Sequence, residues 1–468
     1  MSTIAAIATP PGKGAIAIVR LSGPDAKALL SRVFLPLSEK FENFVPRHLH
    51  RGRVLDWHGE AIDDVLAVYM PAPRTYTGED IAEIQCHGSP LVAQAVLETL
   101  LRLGAEPAAR GEFTRRAFLN GRMDLSQAEA VAELVAAPSR EALRYGLNRL
   151  DGGLSRMVAA LRDEIDALRC QLAVAVDFPE DEVEVFPRDA FESALAGIEE
   201  KIVRVLAGKR RGRLMQQGVT VVLAGAVNAG KSSLLNALLG RDRALVTDRP
   251  GTTRDFLEEY CEIEGLPVRL VDTAGLRAAD APCVDEIEAL GIDRSREQVV
   301  GADAVLLVLD GARMGEAGLN ACDCPDEATA EVLEHAGQIP VIIVWNKCDV
   351  CRPASLPFSW AGDAPCCSVS ARTGENLDVL TGLLRRILLD EGSAPVEGGL
   401  VPNARQAIAL EAALAELKAL RQDIAGRAPS DCCSVRLDTL AAHLAEVAGL
   451  SSPSEVLDKI FSHFCIGK

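Results

Sequence analysis

Apolar residues change their spacing several times along this chain. Before residue 120 they come in short alternating runs, GAIAIVRLSG and IAEIQCHG, the period-two signature of strands within an α/β domain. From there the spacing turns to i, i+3, i+4. Leu125–Ala137, Leu154–Val174 and Phe191–Val205 each carry one apolar stripe, as helices do. Between residues 218 and 384 the pattern becomes apolar β-branched runs, VTVVLA, VRLVD and VIIVW among them, each leading into a loop. Helical spacing then resumes at Ala404–Ala425 and Leu437–Ala448. Helices on both sides of a strand-rich module predict one helical domain that the module interrupts. The expected class is multidomain, α/β plus all-α, divided at residues 1–120, 121–217, 218–384 and 385–468.

A length of 468 residues, with 48% hydrophobic and 25% charged, is ordinary for a folded protein of several domains. No apolar run reaches the ~18 residues that span a bilayer, and MSTIAAIATPPGKG has no signal-peptide outline, so a cytoplasmic protein is expected. The net charge of −18 matters more, because phosphate repels such a surface. A nucleic-acid role then needs a basic partner or a local patch, and KRRGR, Lys209 to Arg213, is the one dense patch. Its bland reading is a solvated linker end. Thirteen cysteines without an export signal predict reduced, structural thiols; Cys348 and Cys351, with Cys322 and Cys324 upstream, match zinc-site spacing poorly. Cys465 is the fourth residue counted back from Lys468, in the outline of a prenylation box, but Lys468 is neither small nor apolar. Phe461, Phe464 and Ile466 predict that this segment docks, which leaves Cys465 as a small hydrophobe or a working thiol.

The central module carries its chemistry in its loops. Gly225-Ala-Val-Asn228-Ala229-Gly230-Lys231-Ser232-Ser233 is G-x-x-x-x-G-K-S between a strand and a helix. Its glycines turn backbone N–H groups toward phosphate, Lys231 reaches the β/γ-phosphates, and the Ser232 hydroxyl suits Mg²⁺. Asp272-Thr273-Ala274-Gly275, Asn346-Lys347-Cys348-Asp349 and Ser370-Ala371-Arg372 follow later strands in the order of a Ras-like GTPase. Asp349 can accept both N1–H and the exocyclic amine of guanine, a pair that adenine lacks. Thr247, Thr252 and Thr253 mark a switch I, with Thr253 as the second Mg²⁺ hydroxyl. Leu276 stands where Ras-type enzymes orient water with glutamine, so a bound cation and a carboxylate, from among Asp285, Glu286 and Glu288, are expected to take over.

TPPGKGAIAIVRLSG, TGEDIAEIQCHG, GEFTRRAFLNGRMDLSQAEAVAEL, GAVNAGKSSLLN, VTDRPGTTRD, DTAGLR and FCIGK, in this order from end to end, resemble the MnmE (TrmE) family of tRNA-modification GTPases. Ribosome-assembly GTPases of the Era or EngA kind share the middle motifs but lack the first and last. The resemblance implies a folate-binding-like N-terminal domain that makes a homodimer, and a helical domain split by the G domain. It implies a heterotetramer with a MnmG-like FAD protein that modifies C5 of the wobble uridine of certain tRNAs, using 5-formyl- or methylene-tetrahydrofolate. It places K⁺ at Asn228, Thr247, Arg249 and Thr252, Mg²⁺ at Ser232 and Thr253, and the water-orienting carboxylate at Glu288. Folate contacts fall on Arg20, Glu83, Arg122 and Lys468, and Cys465 falls beside that site. Switch II is about four residues longer than the family pattern, and Ala226-Val227 replaces a common Arg-Pro.

Overall fold

A computed structural model describes residues 2–177, 188–226, 228–241, 258–272, 301–316, 333–334, 336–353, 361–389, 400–450 and 454–468. The chain forms two compact units.

The first unit comprises Met1–Val135, Asn148–Glu200 and Ile408–Lys468. It opens with a seven-stranded mixed sheet. The strands are β1 (Ile4–Ile7), β2 (Ile16–Ser22), β3 (Phe34–Pro36), β4 (His50–Leu55), β5 (Ala61–Met70), β6 (Ile81–His87) and β7 (Glu106–Pro107), in the order β3-β4-β5-β6-β2-β1-β7. Alternation sends Val19, Leu21, Ala82 and Ile84 to one face, under helices α1 (Ala26–Val33) and α2 (Pro90–Arg102). The opposite face carries Arg20 of β2 directly across from Glu83 of β6. Helix α3 (Glu112–Leu119) follows, with Phe113 fully buried beside Ile4 and Ala6.

The helical part of this unit includes α4 (Leu125–Ala136), α6 (Gly153–Asp177), α13 (Ser430–Ala448) and α14 (Ser454–Ser462), with α5 (Arg140–Leu150), α7 (Arg188–Leu206) and α12 (Ala404–Ala425) contributing in part. Helix α6 lies along α13, where Arg169 pairs with Asp438. Helix α13 begins at Ser430, earlier than the expected Leu437. Pro429 precedes it, buried Cys433 carries the apolar stripe one turn back from Leu437, and off that stripe the Arg436 guanidinium pairs with Glu416 at 2.8 Å. Arg149 is buried to 2% exposure and faces Glu129 and Glu133.

The last residues dock, as the apolar spacing predicted. Phe461 and Phe464 pack with Leu125, Ala128, Val131 and Leu457. Ile466 is the exception. Its side chain is 59% exposed, because the residue is held through its backbone, in an antiparallel bridge to Arg110. Gly467 has φ +91°; a Cβ there would fall on the Ile7 carbonyl oxygen and 2.9 Å from the Ala8 Cα.

The second unit comprises Ala136–Leu147 and Lys201–Ala407. Its six-stranded sheet contains β8 (Val219–Ala224), β9 (Glu258–Ile263), β10 (Leu266–Asp272), β11 (Ala304–Asp310), β12 (Val341–Asn346) and β13 (Cys366–Ser368), in the order β13-β12-β11-β8-β10-β9. All neighbours are parallel except β9 and β10. Their apolar runs are buried on both faces: Leu223, Leu270, Leu306 and Val344 on one, Val222, Val271 and Val305 on the other. Helices α9 (Lys231–Arg241) and α11 (Leu377–Leu389) cover the first face through Leu234, Leu238, Leu380 and Leu384. The KRRGR patch is not a linker end. It opens helix α8 (Lys209–Gln217), where Arg211 pairs with Glu141 at 3.4 Å and Arg213 with Asp303 at 3.0 Å, so two of its charges are already neutralised. Among the described residues, no helix is long and apolar enough to cross a membrane, and no group of three His, Cys, Asp or Glu side chains is gathered to hold a metal. Burial pushes the Cys367 thiol up to about 12 and raises Cys348 as well, which suits core packing rather than reactivity.

Candidate functional site

A parallel sheet delivers its loops to the C-terminal ends of its strands, and the predicted nucleotide residues gather there. At the end of β8, Gly225 takes φ +133° against the Val308 carbonyl, Asn228 takes φ +64°, and Gly230 takes φ +92° where a Cβ would strike the Asn346 amide. Ala229 is buried between them. Lys231 opens α9 and is 5% exposed; its ammonium donates to the Gly225 and Ala226 carbonyls, at 2.8 Å each. The lysine therefore satisfies its charge on the loop's own backbone, at the place where phosphate oxygens would otherwise meet it. Ser232 donates its hydroxyl to Asp272 Oδ2 at 2.6 Å, joining the P-loop to the end of β10 in an all-oxygen pair suited to a hard dication such as Mg²⁺. Ser233 is exposed beside it.

The base side is built from two neighbouring strands. Asn346 ends β12 and is 1% exposed. Its amide donates to the Ala229 carbonyl at 2.9 Å and accepts from the Ala371 N–H at 3.1 Å, tying three loops together. Ser370, just past β13, donates to Asp349 Oδ1 at 2.7 Å, while the Arg372 guanidinium pairs with Oδ2 at 2.7 Å. The Ser370 hydroxyl, helped by Arg372, holds the Asp349 carboxyl below the usual carboxylate range. A carboxylate whose charged form is favoured in this way is the acceptor that the guanine N1–H and amine require. Thr247, Arg249, Thr252, Thr253, Thr273, Ala274, Gly275 and Glu288 lie outside the described residues.

The second group of predicted residues belongs to the first unit. Arg20 Nε and Glu83 Oε1 pair at 2.7 Å, both partly buried, with the Arg20 guanidinium 5.8 Å from the centre of the Phe113 ring. Arg122 donates through Nε to the Thr75 carbonyl at 3.0 Å. Gly111 donates to the Cys465 carbonyl at 3.4 Å, which sets the Cys465 backbone beside the start of α3; its side chain is exposed. Lys468 is half-buried next to Gly467, which abuts the end of β1.

Two families match the chain along its length. Residues 3–122 match the GTP-binding protein TrmE N-terminus, and residues 125–465 match the MnmE helical domain. A tRNA modification GTPase MnmE of Nitratidesulfovibrio vulgaris is 50% identical over 470 residues, covering 100% of this chain and 99% of its own. The chain belongs to the MnmE family. The MnmE of Lawsonia intracellularis is 45% identical over 473 residues, with 100% and 99% of the two chains covered. A solved structure of Aquifex aeolicus Era bound to GDP and aluminium fluoride is 24% identical over 42% of this chain and 66% of its own, with a TM-score of 0.27.

Sequence reasoning missed the residues that hold these members of the MnmE family's motifs in place. Buried Arg116 of α3 binds Glu79 at 3.0 Å, Glu112 at 2.9 Å and the Ser2 carbonyl at 2.8 Å, and so fixes the Thr75–Glu79 loop. Tyr76 of that loop donates to or accepts from Thr114 at 2.8 Å, and lies close enough for the Arg20 charge to offset part of its desolvation. Asp310, which ends β11, holds Lys347 at 2.7 Å. Neither Arg116 nor Asp310 left a signal in the sequence: Arg116 is one of two adjacent arginines in GEFTRRAFLNGR, and only the fold buries it.

Proposed function

We propose that this MnmE-family chain is a K⁺-stimulated, Mg²⁺-dependent GTPase of the cytoplasm. It works as a homodimer, in a heterotetramer with a MnmG-like FAD protein, on C5 of the wobble uridine (position 34) of certain tRNAs. Lys231 and the loop amides hold the phosphates; Ser232 and Thr253 hold Mg²⁺; Asn228, Thr247, Arg249 and Thr252 hold K⁺. Asn346, Asp349, Ser370 and Ala371 read the base, and Glu288 orients the attacking water. A cation at Asn228 supplies the charge that an arginine finger supplies elsewhere, which there is worth roughly 10³–10⁵ in rate. Its −18 net charge leaves part of the tRNA contact to a basic partner.

The observation that carries the modification half is the docking of residues 464–467 on the same unit as the Arg20–Glu83 pair, with Gly467 against β1 and Cys465 beside α3. Glu83 fits a pterin-like ring with adjacent N–H donors; Arg20, paired with it at 2.7 Å, fits a formyl oxygen beside that ring, and Lys468 fits a carboxylate of the glutamyl tail, with Arg122 a further folate contact. When bound, a reduced folate supplies the one-carbon unit. Uridine C5 is a poor nucleophile until a group adds at C6, and we assign that addition to the Cys465 thiol, which is exposed. Mass spectrometry of wobble nucleosides tests this reading. A deletion strain should accumulate unmodified uridine, the intact gene should restore modification, and Cys465→Ser should not, while its GTP turnover stays normal. Restoration by Cys465→Ser would return the thiol to a packing role.

A further inference from the structure

Lys347 is the lysine of Asn346-Lys347-Cys348-Asp349, and the structure gives its ammonium two partners. It donates to the Asn228 carbonyl at 2.9 Å and pairs with Asp310 Oδ2 at 2.7 Å. Asp310 is paired in register with Asn346, one residue ahead of Lys347, so the sheet itself sets the carboxylate beside the lysine stem. Gly311 keeps it there. A Cβ on Gly311 would meet the Trp345 indole nitrogen and lie 2.5 Å from the Asn346 carbonyl, so the two strand ends approach as closely as backbone permits. The other carboxylate oxygen of Asp310 accepts from the Ala312 and Arg313 amides at 3.1 and 3.3 Å, capping the short helix α10 (Gly311–Glu316) and fixing the side chain's rotamer.

We propose that Asp310 is a positioning residue for GTP binding, which holds the Lys347 ammonium against the Asn228 carbonyl and thereby orients the P-loop peptide that faces phosphate. The carbonyl of Asn228 and the N–H of Ala229 belong to one trans peptide and point in opposite directions. Drawing the carbonyl outward to Lys347 turns the Ala229 N–H into the loop, where it meets the Ala226 carbonyl at a long 3.4 Å. A donor held this way, with a weak partner to give up, is preorganised for a phosphate oxygen. The left-handed backbone at both Asn228 (φ +64°) and Lys347 (φ +63°) is the conformation this clamp maintains. An ammonium with Asp310 removed would swing freely on its four-carbon stem, and the carbonyl would lose its restraint.

The test is Asp310→Asn, because asparagine caps a helix as well as aspartate but carries no charge. Affinity for GDP, measured by calorimetry, should fall by roughly tenfold, the size of one lost charge-assisted hydrogen bond. KM for GTP should rise by a similar factor with kcat little changed, and Asp310→Glu should recover part of the loss. In a Lys347→Ala background Asp310→Asn should have no further effect, since the carboxylate acts through the lysine. GDP affinity within twofold of the parent, or an undiminished loss in the Lys347→Ala background, would overturn the assignment. Should Asp310→Asn fail to fold, Asp310→Ser, which also caps, is read by the same criteria.

Discussion

Gly467→Ala gives the sharpest test of the docked C-terminal segment. Two costs arise at once. A φ of +91° is a conformation that alanine adopts only under strain of about 1–3 kcal/mol. The added Cβ also lands on the Ile7 carbonyl and 2.9 Å from the Ala8 Cα, which are backbone atoms of a sheet rather than the yielding end of a side chain. Neither can move without disturbing the pairing of β1 with β2, so the segment itself must lift. Against this, Phe461 and Phe464 remain buried with Leu125 and Val131, and burial of one such ring is worth about 1.5–3 kcal/mol. Helix α14 should therefore stay in place while residues 465–468 detach, their docked population falling by roughly fivefold to a hundredfold. Hydrogen exchange reads this directly. The Gly111 amide, which donates to the Cys465 carbonyl, and the amides of the Arg110–Ile466 bridge should exchange faster, while melting temperature changes little. GTP turnover should be unchanged and wobble-uridine modification reduced. Unaltered exchange at residues 110–111 would refute the claim that Gly467 is the latch.

Four further outcomes follow from three other sites. GTP hydrolysis should be much faster in K⁺ than in Na⁺, and Asn228→Ala should remove the difference; steady-state rates in the two salts decide it. Asp349→Asn should weaken GTP binding and favour a xanthine nucleotide, whose C2 carbonyl accepts where the guanine amine donated, as competition calorimetry would show. Because the Asp349 pKa lies below its usual value, its carboxylate is charged above that point, so base recognition should stay flat from neutral pH down to about pH 5 and fail only as the carboxyl protonates. Arg149→Ala should destabilise the first unit by about 3–5 kcal/mol, since Glu129 and Glu133 would lose a buried counter-charge, and thermal unfolding measures it.

What the sequence disclosed depended on whether a residue's role is local. G-x-x-x-x-G-K-S fixes a strand, a turn and a helix start within a few residues, so Lys231 and Ser232 could be assigned roles at once. The base loop was legible for the same reason. Helix α13 was placed late because its first turns carry no leucine, although Cys433 lies on the buried stripe four residues before Leu437 and Pro429 and Ser430 mark its start. Ile466 was expected to dock by its side chain and docks by its backbone, a distinction that hydropathy cannot express. Arg20 and Glu83 could each be named, but their facing register exists only once β2 and β6 pair. Asp310 was illegible throughout: an acidic residue ending a strand is commonplace, and only the order β12-β11-β8 puts it between the base loop and the phosphate loop.

The bridge between Arg110 and Ile466 also has a bearing on how the protein is made. Most of the chain separates the two residues, and a ribosome adding ~5–20 residues per second takes on the order of tens of seconds to cross that interval. Throughout it the Gly111 amide and the end of β1 lack their partners from residues 465–467, while Lys201–Ala407 of the second unit are synthesised. Every described residue of the nucleotide site is thus synthesised before residues 465–467. A chain that stops before residue 465 would lack the Arg110–Ile466 bridge yet keep the described nucleotide-site residues, a product that a nucleotide-binding assay would pass as sound.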